Sequence, residues 1–249
     1  MDIKPKTPQE LKIMREAGLI LQSAQKAMKT EIKAGVSLLY LDQIAESIIL
    51  RAGAKPAFKG FHGFPATLCT MINSEVVHGI PDGRILQDGD ILSIDCGVLW
   101  KGLHSDAAFT VIVGGDDKNE ARAKFSACVK SALRAGCKAA KTGNRVGDIG
   151  AAIQDIIYKG GYSLCKEYTG HGLGKELHED PVVFNYGKKG DGMILREGMT
   201  IAIEPIVASG NPQVKILSDD WTVVTADGKD ACQWEHCGVV TKRGLEIFA

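Results

Sequence analysis

The chain repeats itself, and the repeat limits what it can fold into. KAGVSLLYLDQIAESIILRAG, opening at Lys33, aligns with KTGNRVGDIGAAIQDIIYKGG, opening at Lys141, at an offset of 108 residues with glycines, apolar positions and charges largely matched. At an offset of 109, LQDGDILSID, ending at Asp95, falls on LREGMTIAIE, ending at Glu204, so that acid falls on acid. The same offset sets His62-Gly63 on His171-Gly172, and with a gap allowed His78-Gly-Ile-Pro falls on His178-Glu-Asp-Pro. Each match alone is weak. Their shared order and spacing imply one domain, 1–249, made of two related halves, approximately 7–115 and 116–249. In each half two helices precede strands. The expected class is therefore α+β, with two pairs of helices outside a curved antiparallel sheet, and a site between the halves where Asp95 and Glu204 approach a pseudo-twofold axis.

Local signals supply the helices. Thr7-Pro8-Gln9-Glu10 combines an N-cap, proline at the first helical position and an acid three residues after the cap, which starts a helix running to about Lys33. Ser37 caps a second helix, buried through Leu38, Leu41, Ile44, Ala45 and Ile48, that stops at Gly53. Asp117 with Glu120 opens a third, reaching about Ala140, and a fourth spans about Val146 to Lys159 before Gly160-Gly161.

Three stretches place acids where acids are disfavoured. ILSIDCGVLWKGLHSDAAFTVIV, 91–113, reads as a β-hairpin turning at Lys101-Gly102. Alternation puts Ser93, Asp95 and Gly97 on one face of the first strand and Asp106, Ala108 and Thr110 on one face of the second. Two facing carboxylates repel, so either a cation lies between them or one aspartate ends its strand in solvent. Glu204 follows the apolar Ile201-Ala202-Ile203, and Glu235 precedes Gly238-Val239-Val240, with an exposed strand end as the alternative for each. The GHGLG run leaves His171 between glycines that permit close backbone approach. Asp95, Asp106, His171, Glu204 and Glu235 together are too acidic for one structural zinc. Four carboxylates balance two divalent ions, and oxygen-rich ligation with one nitrogen suits manganese, iron(II) or cobalt.

Composition excludes other classes. Thirty basic and thirty acidic residues cancel without a long block of one sign, so no specific nucleic-acid site and no membrane surface is expected. Seven scattered cysteines lack a CxxC pair and read as buried thiols in a reducing cytoplasm. The polar start MDIKPKTPQE and the lack of a span-length apolar run point to a soluble protein that is not exported.

DCGVLWKGLHSDAAFT, GHGLGKELHEDP, TIAIEP and WEH, in this order, resemble the metal-binding motifs of type I methionine aminopeptidases, from about Thr7 to the C-terminus. The resemblance implies the pita-bread fold and a hydrolase that removes N-terminal methionine from nascent polypeptides and peptides, preferring a small second residue. It implies two divalent ions per chain, with cobalt, manganese, iron(II), zinc and nickel all open. Residues matching Asp106, His171, Glu204 and Glu235 would hold one ion, and those matching Asp95, Asp106 and Glu235 the other. Glu204 would accept the proton, His178 would bond the developing oxyanion, and His78 would contact substrate near the leaving amide. Without the resemblance these histidines read as ordinary turn residues before prolines. Phe61, Phe64, Cys69, Leu177 and Trp221 match the methionine pocket, the alternative being plain core residues. Leu177 departs from an aromatic, and Phe61 and Phe64 stand where tyrosines are frequent. A monomer meeting its substrates as they leave the ribosome is expected.

Two alternatives compete. An X-Pro dipeptidase or aminopeptidase of the same fold usually carries a separate N-terminal domain for which 249 residues leave no room. A metal-free binding module would have lost ligands, and none is lost. Type I is favoured over type II because no long insertion separates Glu204 from Glu235 and no zinc-finger extension precedes the first helix.

Overall fold

Three of the four helices begin where the sequence places them, the first two on their capping signals. The computed structural model describes residues 3–249. Helix α1, Pro8–Glu31, begins with a reciprocal box in which the Thr7 hydroxyl accepts the Glu10 amide at 3.2 Å and the Glu10 carboxylate accepts the Thr7 amide at 2.8 Å. Helix α2, Leu38–Arg51, is capped by Ser37, which accepts the Tyr40 amide. Its buried stripe is Leu38, Leu41, Ala45 and Ile49, while Ile44 and Ile48 are only half-buried. The stripe follows steps of three and four residues from Leu38 and so passes through Ile49 instead of Ile48. Helix α3, Glu120–Ala139, is capped by Asn119, whose side chain accepts the Arg122 amide. Asp117 is not the cap, because Asp116–Lys118 closes into a short 3-10 turn first. Helix α4, Val146–Lys159, has the expected bounds.

The strands that bear on the site are β1 Leu68–Ile72, β2 Ile91–Trp100, β3 Leu103–Ile112, β4 Gly170–Gly172, β5 Glu179–Val183, β6 Thr200–Ile203, β7 Ile206–Ala208, β8 Ala231–Gln233, β9 His236–Thr241 and β10 Gly244–Ile247. Strands β2 and β3 form the expected hairpin. Its two-residue turn holds Lys101 at φ 48° and Gly102 at φ 81°, the left-handed pair whose twist suits a tight hairpin. Register pairs Ser93 with Thr110, Asp95 with Ala108 and Gly97 with Asp106, so both aspartates lie on one face as diagonal neighbours.

Later strands form an antiparallel sheet in the order β10, β9, β6, β4, β5, while β8 pairs with β7. The segment from β8 into β9 joins this part to the hairpin. Its Glu235 amide donates to the Ala108 carbonyl at 3.0 Å, and its Gln233 amide donates to the Ser93 hydroxyl at 3.2 Å. Trp234, between them, points the other way and donates to Ser126 of α3 at 3.0 Å. Alternation thus turns Gln233 and Glu235 away from the helices, on the side opposite to Trp234.

The helices cover the other face. Met14, Leu21 and Met28 of α1 and Val129 and Leu133 of α3 share one buried cluster with Ile94, Phe109, Ile201 and Ile203 of the strands. Each such side chain contributes about 1.5–3 kcal/mol by leaving water. A separate apolar cluster gathers Phe58, Phe64, Cys69 and Leu177, with Phe61 and Trp221 at its edge. All seven cysteines are free thiols, six of them buried and Cys128 half-buried. Among the described residues no helix is long and apolar enough to cross a membrane.

Candidate active site

The second apolar cluster and the acidic face of the hairpin bound one cavity of about 750 Å³. Its lining includes Asp95, Asp106, His171, Glu204 and Glu235, both His78 and His178, and Phe61, Phe64, Cys69, Leu177 and Trp221. Every site residue expected from sequence therefore borders the same space.

Backbone geometry explains how the polar set converges. Asp95 and Asp106 come from β2 and β3, His171 from the middle of β4, Glu204 from the residue after β6, and Glu235 from the residue before β9. Strand β4 is squeezed between its neighbours: a Cβ at Gly172 would lie 2.1 Å from the Asp180 carbonyl oxygen, and one at Gly170 would lie 2.3 Å from that of Ala202. The glycines flanking His171 are thus needed for close approach.

Single ligand atoms of Asp106, His171 and Glu235 lie within 4.8 Å of one another. These residues are 3%, 9% and 1% exposed. Glu204 Oε1 stands 3.5 Å from His171 Nε2. The Gln233 amide reaches Glu204 at 3.4 Å and Asp95 at 3.5 Å, bridging the two acids that the internal repeat equates. His171 Nδ1 lies 2.9 Å from the Gly172 carbonyl, which fixes that nitrogen as the protonated one and leaves Nε2 with its lone pair toward the acids.

Electrostatics point the same way. Burial pushes the Asp95 carboxyl up to about 6. Burial, then the charges of Asp95 and Glu204, push Asp106 well above the ordinary carboxylate range. Glu204 is raised by burial and by Asp95, and Glu235 by burial and by Asp106, Asp95 and Glu204. Burial and the nearby His178 hold His171 down at about 4, keeping it neutral. Oδ1 of Asp95, Oδ1 of Asp106 and Oε1 of Glu235 are buried without a hydrogen-bond partner. Unpaired buried oxygens are costly unless a cation takes them. Four carboxylates and one neutral imidazole with a free nitrogen fit divalent ions, and the orphaned oxygens are the atoms such ions would use.

His178 sits with its ring centroid 4.4 Å from that of His171 and edge-on to Phe61 at 5.4 Å. His78, at φ 58°, meets Tyr168 at 6.0 Å and Trp221 at 6.4 Å, also edge-on. Burial lowers the basicity of both histidines. Phe64 and Trp221 pack edge-on at 5.1 Å, making an aromatic wall beside Cys69.

Sequence reasoning gave no role to several residues of this cavity, among them Gln233, Tyr168 and Phe58. Gln233 was detectable, since it precedes Glu235 by two residues and alternation puts both on one face. Phe58 and Tyr168 carry no such signal, because irregular segments deliver them.

A sequence model described as metallopeptidase family M24 matches residues 12–242. The chain belongs to metallopeptidase family M24. Similarity within the family is to methionine aminopeptidases. "Methionine aminopeptidase 1" of Bacillus subtilis is 46% identical over 246 residues, covering 98% of this chain and 97% of the relative. The crystal structure of the methionine aminopeptidase of Thermotoga maritima superposes with a TM-score of 0.96 at 38% identity, covering 99% of each chain. The prolidase of Pyrococcus horikoshii, another protein of the fold, superposes at 0.77 with 27% identity, covering 98% of this chain and 62% of its own. By sequence and by fold alike the chain groups with the methionine aminopeptidases of this family, and the X-Pro alternative is not favoured. The M24 assignment also carries the use of divalent metal.

Proposed function

We propose that the chain is a single catalytic domain, 1–249, whose two related halves bind the N-terminus of a nascent polypeptide or peptide and release its methionine when the second residue is small. The observation that carries this reading is the meeting, in one cavity, of a buried acid and imidazole cluster with an apolar aromatic pocket. Asp106, His171, Glu204 and Glu235 would hold one divalent ion, and Asp95, Asp106 and Glu235 a second. When bound, the ions supply the Lewis acidity that lowers a water's pKa toward neutrality and polarises the scissile carbonyl.

The chain's own groups do the rest. Phe61, Phe64, Cys69, Leu177 and Trp221 surround the methionine side chain, aromatic faces and a thiol being good partners for a polarizable thioether. Glu204 accepts the proton of the attacking water, and Gln233 orients its carboxylate through the 3.4 Å contact. His178 donates to the oxygen that becomes negative as the carbonyl turns tetrahedral. His78, which lines the same cavity, contacts substrate beside the leaving amide nitrogen. The enzyme acts as a monomer in the cytoplasm, on chains emerging from the ribosome.

Hydrolysis of Met-Ala-Ser by chelated and metal-restored protein tests the reading. Activity should vanish with chelation and return with manganese, iron(II), cobalt, zinc or nickel to differing degrees, and Met-Leu peptides should react poorly. Undiminished turnover after exhaustive chelation would sink it.

His178→Ala should cut kcat and kcat/KM by similar factors, roughly a hundredfold as for one oxyanion donor, with KM barely moved. His62, exposed at the rim of the cavity, should matter less when changed to alanine. A rise in KM alone for His178→Ala would make that residue a substrate-binding group instead.

A further inference from the structure

The loop that carries Leu177 and His178, residues 173–178, has no regular structure, yet its imidazole must be held against the reacting carbonyl. Two anchors hold it. At its start, the Gly174 carbonyl accepts the His104 amide at 2.8 Å and lies 3.2 Å from His104 Nδ1. At its end, Glu179, adjacent to His178, forms an ion pair at 2.6 Å with Lys6, which belongs to the segment before α1. Glu179 also accepts the Glu176 amide at 3.2 Å, which closes the loop on itself.

Lys6 is itself fixed. Its amide donates to the Gly198 carbonyl at 2.9 Å, and Thr7, the next residue, is locked into the capping box of α1. Its side chain crosses directly over the loop: a Cβ at Gly174 would lie 2.3 Å from Lys6 Nζ and 2.6 Å from a Glu179 carboxylate oxygen. The side chains of Lys6 and Glu179 are only 14% and 24% exposed, so the pair is shielded more than a surface bridge, for which little would be expected. Burial favours a neutral Glu179, but the bond from Lys6 and the loop amides outweigh it and hold the carboxyl below its usual range.

We propose that Lys6 is a positioning residue for this reaction, clamping Glu179 so that the neighbouring His178 imidazole is presented to the developing oxyanion. The proposal rests on the role given to His178 above. Lys6 does not line the cavity, whereas Glu179 borders it beside His178, so Lys6 acts only through the loop.

Steady-state kinetics on Met-Ala-Ser with saturating metal tests it. Lys6→Met keeps the stem's bulk and removes the charge. It should lower kcat roughly tenfold with KM little changed, since a displacement of even about 1 Å at a catalytic group is costly. Glu179→Gln should give the same loss, and it serves as the second variant if Lys6→Met folds poorly. In a His178→Ala background neither change should reduce kcat further, because the group being positioned is gone. A merely structural role would lower the melting temperature and multiply with His178→Ala. Wild-type kcat in Glu179→Gln, or losses that multiply, would overturn the clamp. Full turnover in His178→Ala would remove the role of His178 itself, and the clamp with it, whereas a large loss there beside an unimpaired Lys6→Met would overturn the clamp alone.

Discussion

Glu204→Gln should leave a folded protein that no longer turns over Met-Ala-Ser, with kcat reduced by at least about a hundredfold, the lower end expected for loss of a general base. The amide keeps the shape of the side chain, so the 3.4 Å contact with Gln233 and the 3.5 Å approach to His171 remain sterically open. It removes both the negative charge and the basicity. Backbone placement should be unaffected, because the Glu204 carbonyl stays bonded to the Asn185 side-chain amide at 3.0 Å and strand β6 before it pairs along its length with β9. Stability supplies an independent readout. Without cations, Glu204 is one of four mutually repelling acids around the cavity, and removing its charge relieves that repulsion. The metal-free variant should therefore melt no lower than metal-free wild type at pH 7, and metal should raise its melting temperature less than it raises that of wild type. Wild-type turnover in Glu204→Gln would take Glu204 out of proton transfer.

The two hairpin aspartates were legible because their placement depends on short-range rules, whereas His78, His178 and the methionine pocket were read only through the family resemblance. Alternation in 91–112 fixes which side of its own strand Asp95 and Asp106 each take, and the two-residue turn at Lys101-Gly102 sets the register that pairs Gly97 with Asp106. Capping chemistry fixes where α1 and α2 begin. The third cap moved from Asp117 to Asn119 because a 3-10 turn intervened, a choice between two local hydrogen-bond patterns that composition does not decide. Ile49 displaced Ile48 from the buried stripe because a small phase error accumulates along a helix. What sequence could not supply is contact at long range without a pattern. Lys6 and Glu179 lie 173 residues apart, and nothing in either neighbourhood advertises the other. Phe58 and Tyr168 reach the cavity from irregular chain, where no periodicity assigns a face. Gln233 belongs to neither group: the alternation that exposes it was present, and only its neutral amide made it inconspicuous beside the acids.

Asp106→Asn should cost metal binding before anything else. In the proposed assignment Asp106 is shared by both ions, and its surroundings suit that role: it is 3% exposed, and its Oδ1 has no hydrogen-bond partner. Asparagine replaces one carboxylate oxygen with an amide nitrogen that carries hydrogens and does not ligate, and it removes a charge from the cluster. Metal affinity should fall by at least about a hundredfold, the upper end of the loss typical when a residue merely supporting a ligand is changed. Equilibrium dialysis against manganese or cobalt reads this directly, without relying on turnover. Lys101→Ala provides the comparison. Lys101 sits in the hairpin turn between the two aspartate strands, is exposed, and pairs with Glu16 at 2.9 Å, so its loss should leave metal affinity unchanged and stability little altered. The amide variant should also lose most of the rise in melting temperature that metal gives to wild type, because that rise reports binding to the folded state. Wild-type metal affinity in Asp106→Asn would mean that the ions, if they enter this cavity, do not use the hairpin's second aspartate, and the assignment built on the facing pair would have to be abandoned.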